Sequence, residues 1–353
     1  MTLRRMQVTD FRCLPSAGLE LDPAFTLIFG ANASGKTSLL EAIYVLGRGR
    51  SFRTRLSEHL IRHGTDRFVV FGEVDAGGRI PLGVEGSDEG VRARIQGEKP
   101  ANLAQLALRL PVQIIDPEVH RLIEEGPSRR RRFMDWGVFH VEPEFVGFWQ
   151  RYGHVLRQRN AALKGGDRAL VAAWDADLVQ SGWRMSDARR RYVERLAPVA
   201  GELARQMLGM ELTLGYRTGW SREHDLAAAL RLSLATDLER GVTQAGPHRA
   251  ELAIRLDGSA VKDRISRGQQ KLLAAVLLIA QLRLFPDDAI TQPTLLLDDP
   301  AAELDADRLG RLIDAVRQQP VQLVVTTLQP DFPAFGVPGR RYHVSAGTVA
   351  ADA

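Results

Sequence analysis

One stretch constrains this chain more than any other: Phe25-Thr26-Leu27-Ile28-Phe29, then Gly30-Ala31-Asn32-Ala33-Ser34-Gly35-Lys36-Thr37-Ser38. An apolar run stops at a glycine, a loop of small residues follows, and an amphipathic helix begins at Lys36. Gly30, Gly35, Lys36 and Thr37 satisfy the spacing G-x-x-x-x-G-K-[ST] in the strand–loop–helix context that gives the pattern meaning. Small side chains let successive backbone N–H groups curl round a phosphate, and the helix start adds free N–H groups and partial positive charge. Lys36 is placed to reach the β- and γ-phosphates of a nucleoside triphosphate, and the Thr37 hydroxyl to join the coordination of Mg²⁺. The alternative is a glycine-bearing turn with no ligand. Position 33 is alanine where such loops often carry glycine. If the backbone there needs positive φ, the alanine costs roughly 1 kcal/mol.

Length and composition set outer bounds. The 353 residues suffice for two domains or one domain with an insertion, and a 44% apolar, 25% charged chain argues against extensive disorder. The net charge is +4, and arginine supplies nearly all of the basic side, since only positions 36, 99, 164, 262 and 271 are lysine. Arginine suits bidentate phosphate contacts, although genome base composition produces the same bias. Cys13 is the single cysteine, which excludes an internal disulfide and a multi-cysteine zinc site and fits a reducing compartment. The first ten residues show no apolar run after Arg4-Arg5, and the longest greasy stretch, Leu272 to Ala280, is too short to span a bilayer. The expectation is a soluble, cytoplasmic protein with no membrane partner.

In chain order, strands are expected over Leu3–Phe11 and Ala17–Leu21, ahead of the phosphate-loop strand. A helix is expected over Ser38–Leu46, stopped at Gly47. Period-two alternation over Phe68–Val74, Arg79–Val84 and Val91–Ile95, with Gly77-Gly78 as a hairpin, predicts an antiparallel sheet. From 103 to 239 the pattern turns helical and arginine-rich, opening on Arg129-Arg130-Arg131-Arg132 and carrying Trp149, Trp174 and Trp183. Such a lobe is a candidate DNA-contacting arm, with the four arginines as candidate contacts. Core tryptophans beneath a solvated arginine face are the alternative. No long heptad run appears.

The last third carries three further pieces. Ser266-Arg267-Gly268-Gln269 opens a helix and offers a hydroxyl, bare N–H groups and a helix dipole to a phosphate arriving from outside. Thr294-Leu295-Leu296-Leu297-Asp298-Asp299 reads as a buried parallel strand ending in paired acids, at the sheet edge where phosphates and Mg²⁺ collect. Asp298 is the candidate Mg²⁺ carboxylate and Asp299 the candidate for orienting or deprotonating water; a solvated acidic pair is the alternative. Ala302-Glu303-Leu304-Asp305 follows. A strand over Val321–Thr326 ends at Thr326-Thr327, a candidate γ-phosphate sensor.

These pieces together resemble the ATP-binding-cassette (ABC) group of ATPases, with Ser266–Gln269 like its signature and Glu303 and Asp305 in its D-loop. Gln113 is a candidate for the loop that couples the nucleotide to the lobe. More narrowly, Gly35–Tyr44, Gly49–Thr54, Arg131–Gly137, Gln158–Leu163, Gly246–Arg249 and Leu297–Asp305 are similar to the RecF family of bacterial DNA replication and repair proteins. The departures are Ala33, Pro300 and Ala302. The resemblance implies an α/β fold: an ABC-type P-loop ATPase head of mixed parallel and antiparallel sheets (1–102 and 240–353) with a helical second lobe (103–239) and no long coiled coil. It implies a homodimer formed on ATP, the signature of one subunit capping the nucleotide of the other. It also implies binding of single-stranded, gapped and junction DNA, weak DNA-dependent ATP hydrolysis, and work with RecR, RecO and RecA in gap repair and SOS induction. A membrane-transporter ATPase subunit and a binding module switched by ATP without hydrolysis are the competing readings.

Overall fold

A computed structural model describes residues 1–261, 265–286 and 292–352. The chain opens with strands β1 (Thr2–Phe11), β2 (Leu14–Glu20) and β3 (Phe25–Phe29), then helix α1 (Lys36–Arg48). Strands β4 (Arg67–Asp75), β5 (Arg79–Ser87) and β6 (Gly90–Ile95), helix α2 (Ala104–Arg109) and strand β7 (Val112–Ile115) follow. The middle is helical: α3 (Arg121–Glu124), α4 (Pro127–Val141), α5 (Phe145–Gly165) and the 41-residue α6 (Arg168–Leu208). It continues through β8 (Leu212–Arg217), α7 (Leu226–Arg240), β9 (Glu251–Leu256), β10 (Ser259–Ala260) and α8 (Arg267–Arg283). The chain closes on β11 (Thr294–Asp298), α9 (Pro300–Glu303), α10 (Ala306–Arg317), β12 (Gln322–Thr327), β13 (Arg340–Ser345) and β14 (Thr348–Asp352).

These elements cluster into two compact units, one of residues 1–119 and 286–353, the other of 120–285. The expected boundaries at 102/103 and 239/240 therefore move, for reasons of pairing. Strand β7 joins the first unit because it pairs in parallel with β11. Strand β9 joins the second because it pairs with β8, and α8, which carries Ser266 as its cap, packs on α6.

The first unit holds two sheets. One is antiparallel, in the order β2-β1-β4-β5-β6; the other runs β14-β13-β3-β12-β11-β7 and is parallel except for β14. In β3, β11 and β12 every residue is buried, which is what sheet strands covered on both faces require and why they read as unbroken apolar runs. Strand β4 instead alternates buried and partly exposed positions, as a sheet with one wet face does. Buried Gln322 ties the two sheets: its amide donates to Leu3 O at 2.7 Å and Asp22 O at 2.9 Å, and its carbonyl accepts from Leu3 N at 2.9 Å.

Helix α1 does not stop at Gly47. It runs through Arg48 to Gly49, which takes the left-handed cap at φ 63°. Gly47 is glycine for a different reason: a Cβ there would lie 2.6 Å from Leu110 O and 2.7 Å from Val112.

The second unit is built on α5 and α6 with the three-stranded sheet β10-β9-β8 beside them. Its interior is polar to an unusual degree. Arg159 is fully buried and donates to Asp175 at 2.7 Å, Asp237 at 2.8 Å and Thr243 at 2.8 Å. Arg189, also buried, forks onto Asp135 at 2.7 and 2.9 Å and reaches Pro247 O. Charges this deep persist only when paired and hydrogen-bonded. Trp149 and Trp183, by contrast, are among the exposed large apolar side chains, so they are not core tryptophans.

Candidate active site

The site is assembled at the carboxyl edge of the parallel sheet. Register places Asp298 beside Thr326 and Thr326 beside Ile28, so the ends of β11, β12 and β3 lie side by side. The loop after β3 rises from this edge and turns into α1. Its geometry depends on backbone that bulky residues cannot adopt. At Gly30, φ 155° brings the strand end so near β13 that a Cβ would sit 2.2 Å from Val344 O, and Gly35 has φ 117°. Ala33 sits at φ 60°, so the condition under which alanine is costly is met.

Inside the loop the Lys36 ammonium donates to Gly30 O at 2.7 Å and Ala31 O at 2.9 Å. Burial pushes its pKa down, partly opposed by the carboxylates of Asp299 and Asp298. The Ser34 hydroxyl is buried without a hydrogen-bond partner among the described residues, an orphan that a phosphate oxygen would satisfy. Ala31 and Asn32 line the exposed lip of the loop, and buried Ser38 sits within the first turn of α1.

Thr37 and Asp298 meet. The Thr37 hydroxyl lies 3.0 Å from both carboxylate oxygens. A hydroxyl and a carboxylate side by side, both hard oxygen donors, form the donor set that suits Mg²⁺. Asp298 is steadied from behind by Thr326, whose hydroxyl donates to Asp298 Oδ1 at 2.7 Å while accepting from Asp299 N at 3.0 Å. Thr326 is fully buried and its hydroxyl is committed to these two neighbours. It is therefore a support for the acidic pair.

Asp299 stands just past the strand in left-handed backbone, φ 45° and ψ 57°. For a residue other than glycine this conformation stores roughly 1–3 kcal/mol, and such strain clusters at functional sites. Pro300 then occupies the first position of α9, where its missing N–H costs nothing. The departure at this position thus suits the local fold. Asp305 caps α10, accepting from Arg308 N at 2.9 Å. The side chain of Glu303 lies outside the described residues.

Other expected members fall elsewhere. Gln113 sits within β7 opposite Leu295, three residues before Asp298 and so about 10 Å back from the carboxyl edge. It is buried, with Arg48 Nη2 at 3.4 Å from its carbonyl. Ser266 and Gln269 form a reciprocal capping box at the start of α8, the Ser266 hydroxyl accepting from Gln269 N at 3.3 Å and Gln269 Oε1 accepting from Ser266 N at 3.0 Å. Ser266 and Arg267 are exposed there, with half-buried Gly268 between them and Gln269.

The arginine run is tied to its surroundings by hydrogen bonds and ion pairs. Arg129 pairs with Glu125 at 2.8 Å. Arg130 forks onto Glu251 with two bonds of 2.8 Å, tying α4 to β9. Arg131 donates to Ala250 O at 2.9 Å, and exposed Arg132 donates to Ser128 O at 3.3 Å. Sequence gave no sign of Glu251 as a partner, because 121 positions separate it from Arg130.

Among the described residues no helix is long and apolar enough to cross a membrane. A family model described as the RecF/RecN/SMC N terminal domain matches residues 2–336. The DNA replication and repair protein RecF of Pseudomonas syringae pv. syringae (strain B728a) is 40% identical over 99% of this chain and 98% of its own length. The RecF of Pseudomonas entomophila (strain L48) is 39% identical over the same shares. Among solved structures, the recombination mediator protein RecF with ATP, described as part of the RecFOR pathway, superposes with TM-score 0.89 at 27% identity, covering 99% of this chain and 97% of that one. An Smc head domain from Pyrococcus furiosus superposes with TM-score 0.60 at 17% identity over 99% of this chain and 95% of that one, a likeness of fold alone. With a phosphate-loop edge facing an acidic strand end, and likeness running through nearly the whole length, this chain belongs to the RecF family of DNA replication and repair proteins.

Proposed function

We propose that this protein is an ATP-gated DNA-binding ATPase of recombinational gap repair, whose two nucleotide-bound heads close into a dimer. The observation that carries the reading is the convergence of Thr37 and Asp298 beside the Lys36 ammonium. Residues 30–38 cradle the phosphates of ATP through their N–H groups. Lys36 exchanges the carbonyls of Gly30 and Ala31 for phosphate oxygens. Thr37 and Asp298 hold Mg²⁺. When bound, that ion neutralises charge on the β- and γ-phosphates. Asp299, poised by its left-handed backbone, orients the attacking water. Its carboxylate stands one methylene short of a glutamate, which fits slow turnover.

The exposed start of α8 at Ser266, Arg267, Gly268 and Gln269 meets the γ-phosphate held by a second protomer, with Glu303 and Asp305 in the adjoining D-loop. Closure brings two arginine-rich lobes onto DNA at gaps and single-strand–duplex junctions, with RecR, RecO and RecA as partners in a cytoplasmic pathway. Phosphate contacts of this kind weaken steeply with salt.

The test is ATP turnover with and without gapped duplex DNA, for the native chain and for Asp298→Asn and Asp299→Asn. The reading expects DNA-stimulated hydrolysis in the native chain, loss of it in both variants, and retained ATP binding in Asp299→Asn. Turnover unaffected by either substitution refutes it.

A further inference from the structure

The second unit holds a cavity that the nucleotide site does not use. It measures about 610 Å³ and is lined by Gly126 and Ser128 at the start of α4, Arg131 one turn on, Asn160 of α5, and His248 and Arg249 before β9. Among the described residues no aspartate or glutamate lines it. That sets it apart within this unit, where Arg130, Arg159 and Arg189 each meet a carboxylate. Arg131 gives one N–H to Ala250 O and has no ion pair among the described residues. Burial, then the neighbouring Arg189 guanidinium, pushes its pKa down, partly opposed by the charges of Glu251 and Asp135, which lie near without pairing with it directly. The side chain of exposed Arg249 has no partner among the described residues.

The remaining wall also presents donors. Asn160 commits its carbonyl to Thr243 N at 2.9 Å and Thr243 Oγ1 at 2.8 Å, which leaves its NH₂ group without a partner among the described residues. Helix α4 begins at Pro127 with no side-chain cap, and its first residues line the opening. His248 is fixed as a neutral wall. Its Nε2–H donates to Thr243 O at 2.9 Å, and its Nδ1 accepts from the Tyr152 hydroxyl at 2.6 Å. Two guanidiniums with no direct ion pair among the described residues, an amide donor and an open helix start, gathered on one cavity, form an arrangement suited to an oxyanion.

We propose that this cavity is a phosphoryl-group site, built from residues other than those of the phosphate loop, which holds one phosphate between Arg131, Arg249, the Asn160 amide and the start of α4. The phosphate belongs either to a nucleic-acid strand or to free phosphate, since both present the same oxygens.

The test uses the full chain carrying Lys36→Ala, so that phosphate-loop binding is removed. Inorganic phosphate is titrated calorimetrically at fixed ionic strength. Saturable binding is expected, weakened at least tenfold by Arg249→Ala, an exposed position whose loss leaves the fold intact. Asn160→Asp keeps the acceptor for Thr243 but puts a carboxylate into the cavity, and is expected to weaken binding at least as much. Competition then separates the sources. Displacement by 5′-hydroxyl and 5′-phosphorylated single strands alike assigns strand phosphates, displacement by the phosphorylated strand alone assigns strand ends, and displacement by neither assigns free phosphate. Absence of saturable binding, or equal affinity in both variants and the parent, overturns the proposal.

Discussion

The Thr37 hydroxyl lies 3.0 Å from both carboxylate oxygens of Asp298, although 261 positions separate the two residues in sequence. The contact exists because β3 and β11 flank β12 in one parallel sheet and all three end at the same edge. Thr326, on the central strand, supports the pair from behind. Thr326→Val keeps the shape and removes the hydroxyl that joins Asp298 Oδ1 to Asp299 N. A buried acceptor and a buried donor then lose a partner, at about 1–3 kcal/mol. We expect a lower denaturant midpoint and at least tenfold slower ATP turnover; native turnover in the valine variant would show that the relay is idle.

Ala33 carries left-handed backbone at φ 60° on the rim of the phosphate loop. A β-branched side chain there is a far greater outlier than alanine. Ala33→Val should weaken ATP binding at least tenfold while leaving the melting temperature of the protein nearly unchanged, because the site is exposed. Ala33→Gly should bind ATP at least as well as the native chain. Nucleotide titration followed by calorimetry distinguishes the three.

The arginine run separates into ties and surface. Arg130 and Glu251 are largely buried, at 13% and 22% side-chain exposure, and share two 2.8 Å bonds. Removing one partner leaves the other charge uncompensated, so Arg130→Met should cost about 3 kcal/mol of stability. Arg132→Ala, at an exposed position, should leave the unfolding curve where it is. Chemical denaturation of both variants measures the contrast, and equal curves would show that the run is solvated throughout.

His248 gives the second unit an acid limit. Burial lowers its pKa from 6.5 to about 4, with Arg249 and Arg131 acting in the same direction and the bond to Thr243 and the charge of Asp237 opposing. The Tyr152 hydroxyl closes its other side. Because the folded-state value is depressed, the unfolded chain binds the extra proton. The contribution is whole above pH 6.5 and is lost as the pH falls toward 4, by about 3 kcal/mol. His248→Gln should remove that part of the pH dependence, read from urea unfolding between pH 7 and 4. A parallel curve for the variant would contradict the assignment.

Much of the site was legible beforehand because its parts obey local rules. The phosphate loop is a contiguous pattern, and the greasy runs ending at Phe29 and Asp298 announce strands buried on both faces. What sequence hid was long-range or conformational. Gly47 looked like a helix stop, but its missing Cβ answers the close approach of Leu110 and Val112. The burial of Gln113 within β7 and the bonds that Thr326 makes to Asp298 and Asp299 follow from pairing register, which no local pattern shows. Within the four consecutive arginines, two reach acceptors more than a hundred residues away, Arg130 at Glu251 and Arg131 at Ala250. The boundary of the helical unit shifted for the same reason, since pairing with β8 and packing on α6, not composition, place β9 and α8.

The central claim is that ATP held by one protomer is capped by the start of α8 of another. It is tested most directly by sedimentation of two variants, alone and mixed, with ATP. Lys36→Ala lacks the loop lysine; Ser266→Arg obstructs the helix start and loses one cap, a cost of about 1 kcal/mol that leaves the fold intact. The account predicts that the native chain dimerises on ATP and that neither variant does alone. It also predicts that an equimolar mixture recovers a dimer holding one ATP, because one intact loop then faces one intact helix start. A mixture that stays monomeric while the native chain dimerises, or a Ser266→Arg chain that dimerises like the native one, would contradict it.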